Sequence, residues 1–414
     1  MIIKGTELYD PERGGFVDLG ILDVLQIFGR AGRPQYDTTG HAILITPHKS
    51  LNNYLALLGH QAPIESNFIK ALADHMNAEI VNGTISTIQE ASNWLSYTFL
   101  FIRMRRNPLA YGINHEDLYD DPQLDKKRLA LVTEAAEVLD QAMMIRFDVR
   151  SGNLGVTDLG RIASHFYIKH GTIESFNAML NDHLNETEAL HVLCSSAEFD
   201  QLKVRPEELA ELEQLKKLVP VKVKTGAEDT AGKVSVLLQT YCKQARVQAF
   251  TLQSDTNYVA QSAARITRAL FEISAKRGWS NMARHYLELS KSIDRRMHVG
   301  DSPLRQFGEL PYEVIKRLEE TRCTPNRIVE MGSREIGSLI HNMKLGGKVL
   351  SLAERLPHLG VEAQIQPLTR GVLRIRLEVT CDFIWSMQYH GMSEPFHLWI
   401  EDGMCVRDVY MVEL

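Results

Sequence analysis

The chain has 414 residues, 44% apolar and 24% charged, and a formal net charge of −6. That usage excludes a disordered chain, a collagen and a disulfide-stapled miniprotein. The length exceeds the roughly 250–300 residues that one core usually holds, so about two to three domains are expected. The acidic balance excludes a polycation, and any nucleic-acid surface must be local.

In chain order, Ile2–Lys4 reads as a strand, Asp18 as the cap of a helix over Leu19–Gly29, Ala42–Thr46 as a second apolar strand and Lys49–Leu58 as a second helix. Apolar strands alternating with helices predict a parallel sheet. Two strands cannot make such a sheet stable alone, so residues 1–58 are expected to be the end of a larger α/β domain. From Ile64 to Arg161 the pattern is helical. It carries an amphipathic helix over Asn93–Arg105 and another over Arg128–Gln141. The hairpin Met144–Asp148/Leu154–Thr157 then turns at Arg150–Asn153. Helices followed by a two-stranded wing predict a winged-helix domain.

Leu159–His298 reads as all-helical, with an acidic, glycine-containing linker at Val223–Gly232 and its clearest helix at Asn257–Gly278. Pro303–Leu356 holds three shorter helical patterns, with Pro311 near a start and Gly346-Gly347 as a break. After Pro357, alternation through Val361, Ala363 and Ile365, then Val372, Leu373, Ile375, Leu377 and Val379, predicts antiparallel strands of a β-sandwich. About 100 residues make such a sandwich and only about 55 remain, so the chain is expected to be a window on a longer protein.

Five cysteines without a CxxC pair argue against zinc or disulfides and for a reducing compartment, nuclear or cytosolic. No apolar run reaches ~18 residues, so neither a transmembrane helix nor a membrane partner is expected. His115-Glu116 starts like HExxH, but position 119 is Tyr, so no metal site is expected. Trp94, Trp279, Trp385 and His165 are expected to pack in cores.

The most informative stretch is Gln26-Ile27-Phe28-Gly29-Arg30-Ala31-Gly32-Arg33-Pro34. Gln26, Arg30 and Arg33 are spaced i, i+4, i+7 and share a helical stripe. Gly29 removes a side chain between them, and Gly32 and Pro34 stop the helix. Two guanidiniums on one stripe suit a polyphosphate. On Asn257–Gly278, a wheel gathers Tyr258, Gln261, Ser262, Arg265, Arg268, Glu272 and Lys276 on one side. Val259, Ala263, Ile266, Leu270 and Ile273 fall on the other. Residues 259–300 hold eight Lys and Arg against three acids, the footprint of phosphate binding.

The Gln26–Pro34 string resembles motif six of superfamily-two helicases. Ile2-Ile3-Lys4-Gly5-Thr6, Tyr9-Asp10-Pro11, Gly29 to Asp37 and Pro63-Ile64-Glu65-Ser66 narrow the resemblance to Ski-type DExH helicases with a Sec-63 homology unit. So do Leu159–His165, Pro303–Phe307 and Gln366–Arg370, and together they cover essentially the whole chain. The resemblance implies a mainly α, multidomain architecture. It runs from the end of the second RecA-like lobe (1–58) through a winged helix (59–160), a helical ratchet bundle (161–302) and a helix–loop–helix (303–357) to a partial immunoglobulin-like sandwich (358–414). The last three make the Sec-63 unit, 161–414.

It also implies an ATP-dependent 3′–5′ helicase, using ATP and Mg²⁺ in the full-length protein. Arg30 and Arg33 would be arginine fingers, with Gln26 and Gly29 beside the nucleotide. Ser262, Arg265 and Arg268 would touch a single strand of RNA or DNA. The implied partners are the missing RecA-like lobes and the subunits of a multi-protein complex. A different class stays open: a non-catalytic nucleic-acid- or protein-binding regulatory module. The sequence contains neither G-x-x-x-x-G-K-[ST] nor a DExH box, so Arg30 and Arg33 have no phosphate loop to complete. The purified chain is therefore expected to hydrolyse ATP only at background rate. A nucleic-acid-stimulated phosphate-release assay checks this, and robust turnover overturns it.

Overall fold

The computed structural model describes residues 1–10, 15–32, 38–59, 64–402 and 405–413. The first elements are β1 (Ile2–Lys4), β2 (Glu7–Asp10), β3 (Gly15–Asp18), α1 (Ile21–Phe28), β4 (Ile43–Ile45) and α2 (His48–Leu58). β1 and β4 pair in parallel, Ile3 opposite Leu44, as the apolar alternation predicts. Ile3, Val24 and Tyr54 form the core under this sheet, and the Tyr54 hydroxyl donates to the Leu19 carbonyl at 2.9 Å. The β2–β3 hairpin was not expected. Asp18 corrects the capping reading: it ends β3 and accepts from the Ser50 hydroxyl at 3.2 Å. Gly20 stands at the helix start, without a side-chain cap.

The winged helix comprises α3 (Leu72–Val81), α4 (Ile88–Leu95), α5 (Phe99–Arg106), α6 (His115–Asp120), α7 (Asp125–Gln141) and the wing, β5 (Ile145–Asp148) against β6 (Asn153–Val156). The single helix expected over Asn93–Arg105 is broken at 96–98. The Ser96 and Thr98 hydroxyls donate back to the Asn93 and Leu95 carbonyls, and Thr98 Oγ1 accepts from the Phe101 amide. Such local bonds compete with helix continuation. Glu65 fastens the incoming segment to α5. Arg103, Asn107 and Tyr111 each approach it at 2.7 Å and hold its carboxyl down at about 2.

A helical bundle follows: α8 (Asp158–Phe166), α9 (His170–Met179), α10 (Glu186–Cys194), α11 (Leu209–Lys216), α12 (Thr230–Cys242), α13 (Phe250–Lys276) and α14 (Ser280–Asp294). The expected linker at 223–232 is tighter than foreseen, because Val223 and Ala227 are buried and α12 already starts at Thr230. α13 also begins seven residues before its polar–apolar pattern becomes regular.

The chain divides into two compact units, 1–241 with 245–290 and 242–244 with 291–414. The second contains α15 (Tyr312–Glu320), α16 (Pro325–Glu330), α17 (Ser333–Leu339), α18 (Gly346–Ala353), β7 (Leu359–Thr369), β8 (Val372–Cys381), α19 (Met387–His390), β9 (Pro395–Asp402) and β10 (Cys405–Glu413). Its helical core is built on Leu304, Leu318, Ile328, Ile336, Ile340 and Val349. Gly346 does not break a helix; it begins α18. A Cβ there would sit 2.1 Å from the Ser333 carbonyl oxygen, so the glycine serves close helix approach. The strands form two separate antiparallel hairpins, β7–β8 and β9–β10. In β7–β8, Val361/Val379, Ala363/Leu377 and Ile365/Ile375 share one face, and Gln364/Arg376 and Gln366/Arg374 the other. Cys194, Cys242 and Cys323 are buried and Cys381 is exposed. Among the described residues no helix is long and apolar enough to cross a membrane.

One buried charge cluster sets the start of α13. Lys233 Nζ, wholly buried, lies 2.8 Å from Glu208 and 2.7 Å from Asp255, and donates to the Lys203 carbonyl at 3.1 Å. Burial pushes the Glu208 carboxyl up, but Lys233 and Thr251 outweigh it and hold it below the usual range. Replacing one partner of a buried pair strands the other charge, at a cost of about 3–5 kcal/mol. Lys233→Met is expected to lower the unfolding free energy of the chain by that amount. Denaturant titration checks it; a change under about 1 kcal/mol contradicts the network's role.

Candidate nucleic-acid interface

α13 is 27 residues long, so it extends about 40 Å. Its burial is wider than the sequence wheel implies. Besides Val259, Ala263, Ile266, Leu270 and Ile273, it buries Thr256, Ser262, Thr267 and Ser274. The Thr256, Thr267 and Ser274 hydroxyls are satisfied by the carbonyls four residues back, at 2.6–2.7 Å. What remains toward solvent is a narrow stripe. Asn257, Gln261 and Lys276 are exposed, while Arg265, Arg268 and Glu272 are half-buried.

The predicted strand-contacting residues therefore separate. Ser262 is buried. Arg265 Nη1 donates to the Phe166 carbonyl at 3.1 Å and to the Tyr167 carbonyl, satisfying the open C-terminal end of α8. Arg268 lies on the stripe. Nearer the helix end, Glu272 is pushed up by burial, a shift opposed by His165, Lys276 and Arg268. Arg277 donates to Asn177 Oδ1 at 2.7 Å, and Asn177 donates in turn to the Ala142 carbonyl at 2.9 Å. At the other end the Tyr258 hydroxyl donates to the Glu198 carbonyl at 3.0 Å.

Within the winged helix, α7 turns an acidic face outward. The exposed side of α7 carries Glu134, Glu137 and Asp140 beside Lys126, a surface that repels a polyanion. His165 corrects its expectation: it is exposed rather than packed, with its ring edge-on to Phe166 at 4.7 Å. Trp94, Trp279 and Trp385 are half-buried rather than core residues. Trp94 leans on Phe68, and Trp279 lies under Arg277.

At the other predicted site, Gln26, Gly29 and Arg30 lie exposed at the end of α1. The Arg30 amide donates to the Ile27 carbonyl at 3.0 Å, so its backbone continues the last turn. A Cβ on Gly29 would meet only its own helix, 3.4 Å from the Leu25 and Gln26 carbonyl oxygens. The Arg30 side chain is exposed. Arg33 lies outside the described residues.

The comparisons with known proteins agree with this architecture. Residues 156–405 match the Sec63 Brl domain, and residues 65–141 match a winged helix-turn-helix domain. The first match covers more than half of the chain, which thus belongs to the Sec63 Brl domain family. It is 49% identical over 404 residues to activating signal cointegrator 1 complex subunit 3 of Gallus gallus. It is 47% identical over 402 residues to the U5 small nuclear ribonucleoprotein 200 kDa helicase of Drosophila melanogaster. It is 46% identical over 404 residues to the DExH-box ATP-dependent RNA helicase DExH14 of Arabidopsis thaliana. Each alignment takes in 97% of the chain but only 18–19% of the relative. The resemblance to helicases with a Sec-63 unit, read from the motifs, holds.

The winged helix and bundle meet at a titrating pair. His170 Nδ1 lies 3.0 Å from Asp74, which also accepts from the His170 amide at 2.8 Å. Asp74 raises the His170 pKa against the opposing effect of burial. A raised histidine contributes stability fully below its unfolded value, about 6.5, and loses it as pH rises through the folded value. Thermal or denaturant unfolding between about pH 6 and about pH 8.5 is expected to show that loss. Asp74→Asn is expected to flatten it, and an unchanged pH slope in that variant contradicts the assignment.

Proposed function

We propose that this chain supplies the strand-holding half of an ATP-dependent 3′–5′ nucleic-acid helicase. The observation that carries the reading is the solvent-facing stripe of α13, on which Gln261, Arg268 and Lys276 succeed one another in an acidic protein. A single strand laid along it meets an amide and two cations at helical spacing, with the half-buried Glu272 between the cations, which suits backbone contact without base readout. Relatives named as helicases support the same reading.

In this proposal residues 1–58 are the end of a second RecA-like lobe, and the two C-terminal hairpins belong to an immunoglobulin-like sandwich. Arg30 and Arg33 face a nucleotide held by the complementary lobe, whose hydrolysis with Mg²⁺ supplies the free energy of each step. Gln26 and Gly29 keep that face polar and unobstructed. The protein works among subunits of a larger complex, as the name of its cointegrator relative says of that protein.

Arg268→Ala/Lys276→Ala in a full-length enzyme bearing this segment is expected to lower unwinding several-fold while ATP turnover persists. In the chain alone, Arg268→Ala is expected to reduce the salt dependence of single-strand binding by about 0.7 in log–log slope, one phosphate contact. Unchanged unwinding together with an unchanged slope overturns the reading.

A further inference from the structure

Beyond α13, an open cleft of about 1040 Å³ lies between α3, α8 and the last turns of α13. Apart from Lys276 and Glu272, which the α13 stripe shares, its lining brings together groups that the stripe does not use. Tyr167 closes α8 in the left-handed conformation, φ 54°, with 82% of its surface exposed. A non-glycine residue there is uncommon, and an exposed aromatic ring is not explained by core packing. His165, also exposed, and the cations Arg161, Lys169 and Lys276 line the same cleft.

Three acids, Asp74, Asp158 and Glu272, line the same cleft. Asp74 is turned to His170. Asp158 stands 3.7 Å from Arg161 with both side chains more than 60% exposed, a surface pair of little strength. Glu272 is half-buried on α13, where burial raises its carboxyl against the nearby charges of His165 and Lys276, and its charge is the one the strand has to pass. Arg265 acts here through another residue: it binds the Tyr167 carbonyl and so fixes the backbone that presents the ring.

We propose that this cleft is a second single-strand subsite, in which Tyr167 and His165 stack on bases while Arg161, Lys169 and Lys276 contact phosphates. Aromatic faces interleaved with cations are what sequence-tolerant single-strand binding needs. Lys276 belongs to both the α13 stripe and the cleft, so one strand passes from the first to the second. The proposal deepens the helicase reading and rests on it.

The test uses the whole chain and fluorescent single strands of about 12 nucleotides, as RNA and as DNA, with a duplex control. Tyr167→Ala is expected to weaken single-strand binding about tenfold, and Tyr167→Phe to restore it, since the ring and not the hydroxyl stacks. Arg161→Gln/Lys276→Gln is expected to lower the salt slope. A Tyr167→Ala chain that folds and binds like the parent, while Arg268→Ala weakens binding, overturns the subsite and leaves the α13 reading intact. If neither substitution changes binding, both fall. Tyr167→Ala that leaves nucleic-acid affinity unchanged but abolishes a protein association assigns the ring to that protein and overturns the proposal. Photocrosslinking of 4-thiouridine strands supplies a second readout, with crosslinks at Tyr167 or His165 expected and crosslinks confined to α13 contradicting it.

Discussion

A helix of 27 residues must be held at both ends before it can serve as a fixed rail, and the polar contacts of α13 do that. At its start, Asp255 meets the buried Lys233 and Thr251 donates to Glu208. In its middle, Arg265 binds the carbonyl end of α8, and just past its end Arg277 reaches α9 through Asn177. Apolar burial fixes which face points inward, but it is non-directional and sets position along the axis only weakly. The charged and hydrogen-bonded contacts set that position, because each works only at one register. Through Arg277 and Asn177 this helix also reaches the winged helix, which meets the bundle directly at Asp74 and His170 as well.

These contacts also redistribute the charge. Residues 259–300 carry an excess of cations in an acidic chain, yet Arg265 and Arg277 are turned to neutral acceptors inside the fold. Their field still reaches the surface, while their donors are no longer available to a ligand. In the proposed strand-holding role, attraction of a strand and the gripping of it would therefore fall to different residues. Long-range attraction follows the net charge of the region. Contact falls to the side chains that remain at the surface.

The sequence showed the order of elements well. β1, β4, the wing hairpin and α13 follow from periodicity, and the motif string at Gln26–Pro34 together with segments such as Leu159–His165 and Pro303–Phe307 pointed to helicases with a Sec-63 unit before any geometry. Its errors were local or tertiary. Hydroxyls at Ser96 and Thr98 cut a helix whose apolar pattern runs on unbroken. Gly346 looked like a stop because close helix approach cannot be seen in one dimension. Ser262 sits among polar neighbours on the wheel, but α13 is covered from more than one side, so a short hydroxyl on its flank is buried. The roles of Arg265 and Tyr167 needed the third dimension altogether: they are 98 residues apart, and nothing in either local pattern announces the other.

The burial of three cysteines has a practical side. The Cys194 and Cys242 thiols are pushed up to about 12, chiefly by burial, and Cys323 is also raised. A thiol becomes a nucleophile only as the thiolate, so at neutral pH these three stay chemically silent while the fold is intact. Cys381, at the end of β8, is exposed and answers to reagents. The molecule thus carries a native attachment point for a dye or spin label on its second unit, and three internal alarms that sound only when a core opens.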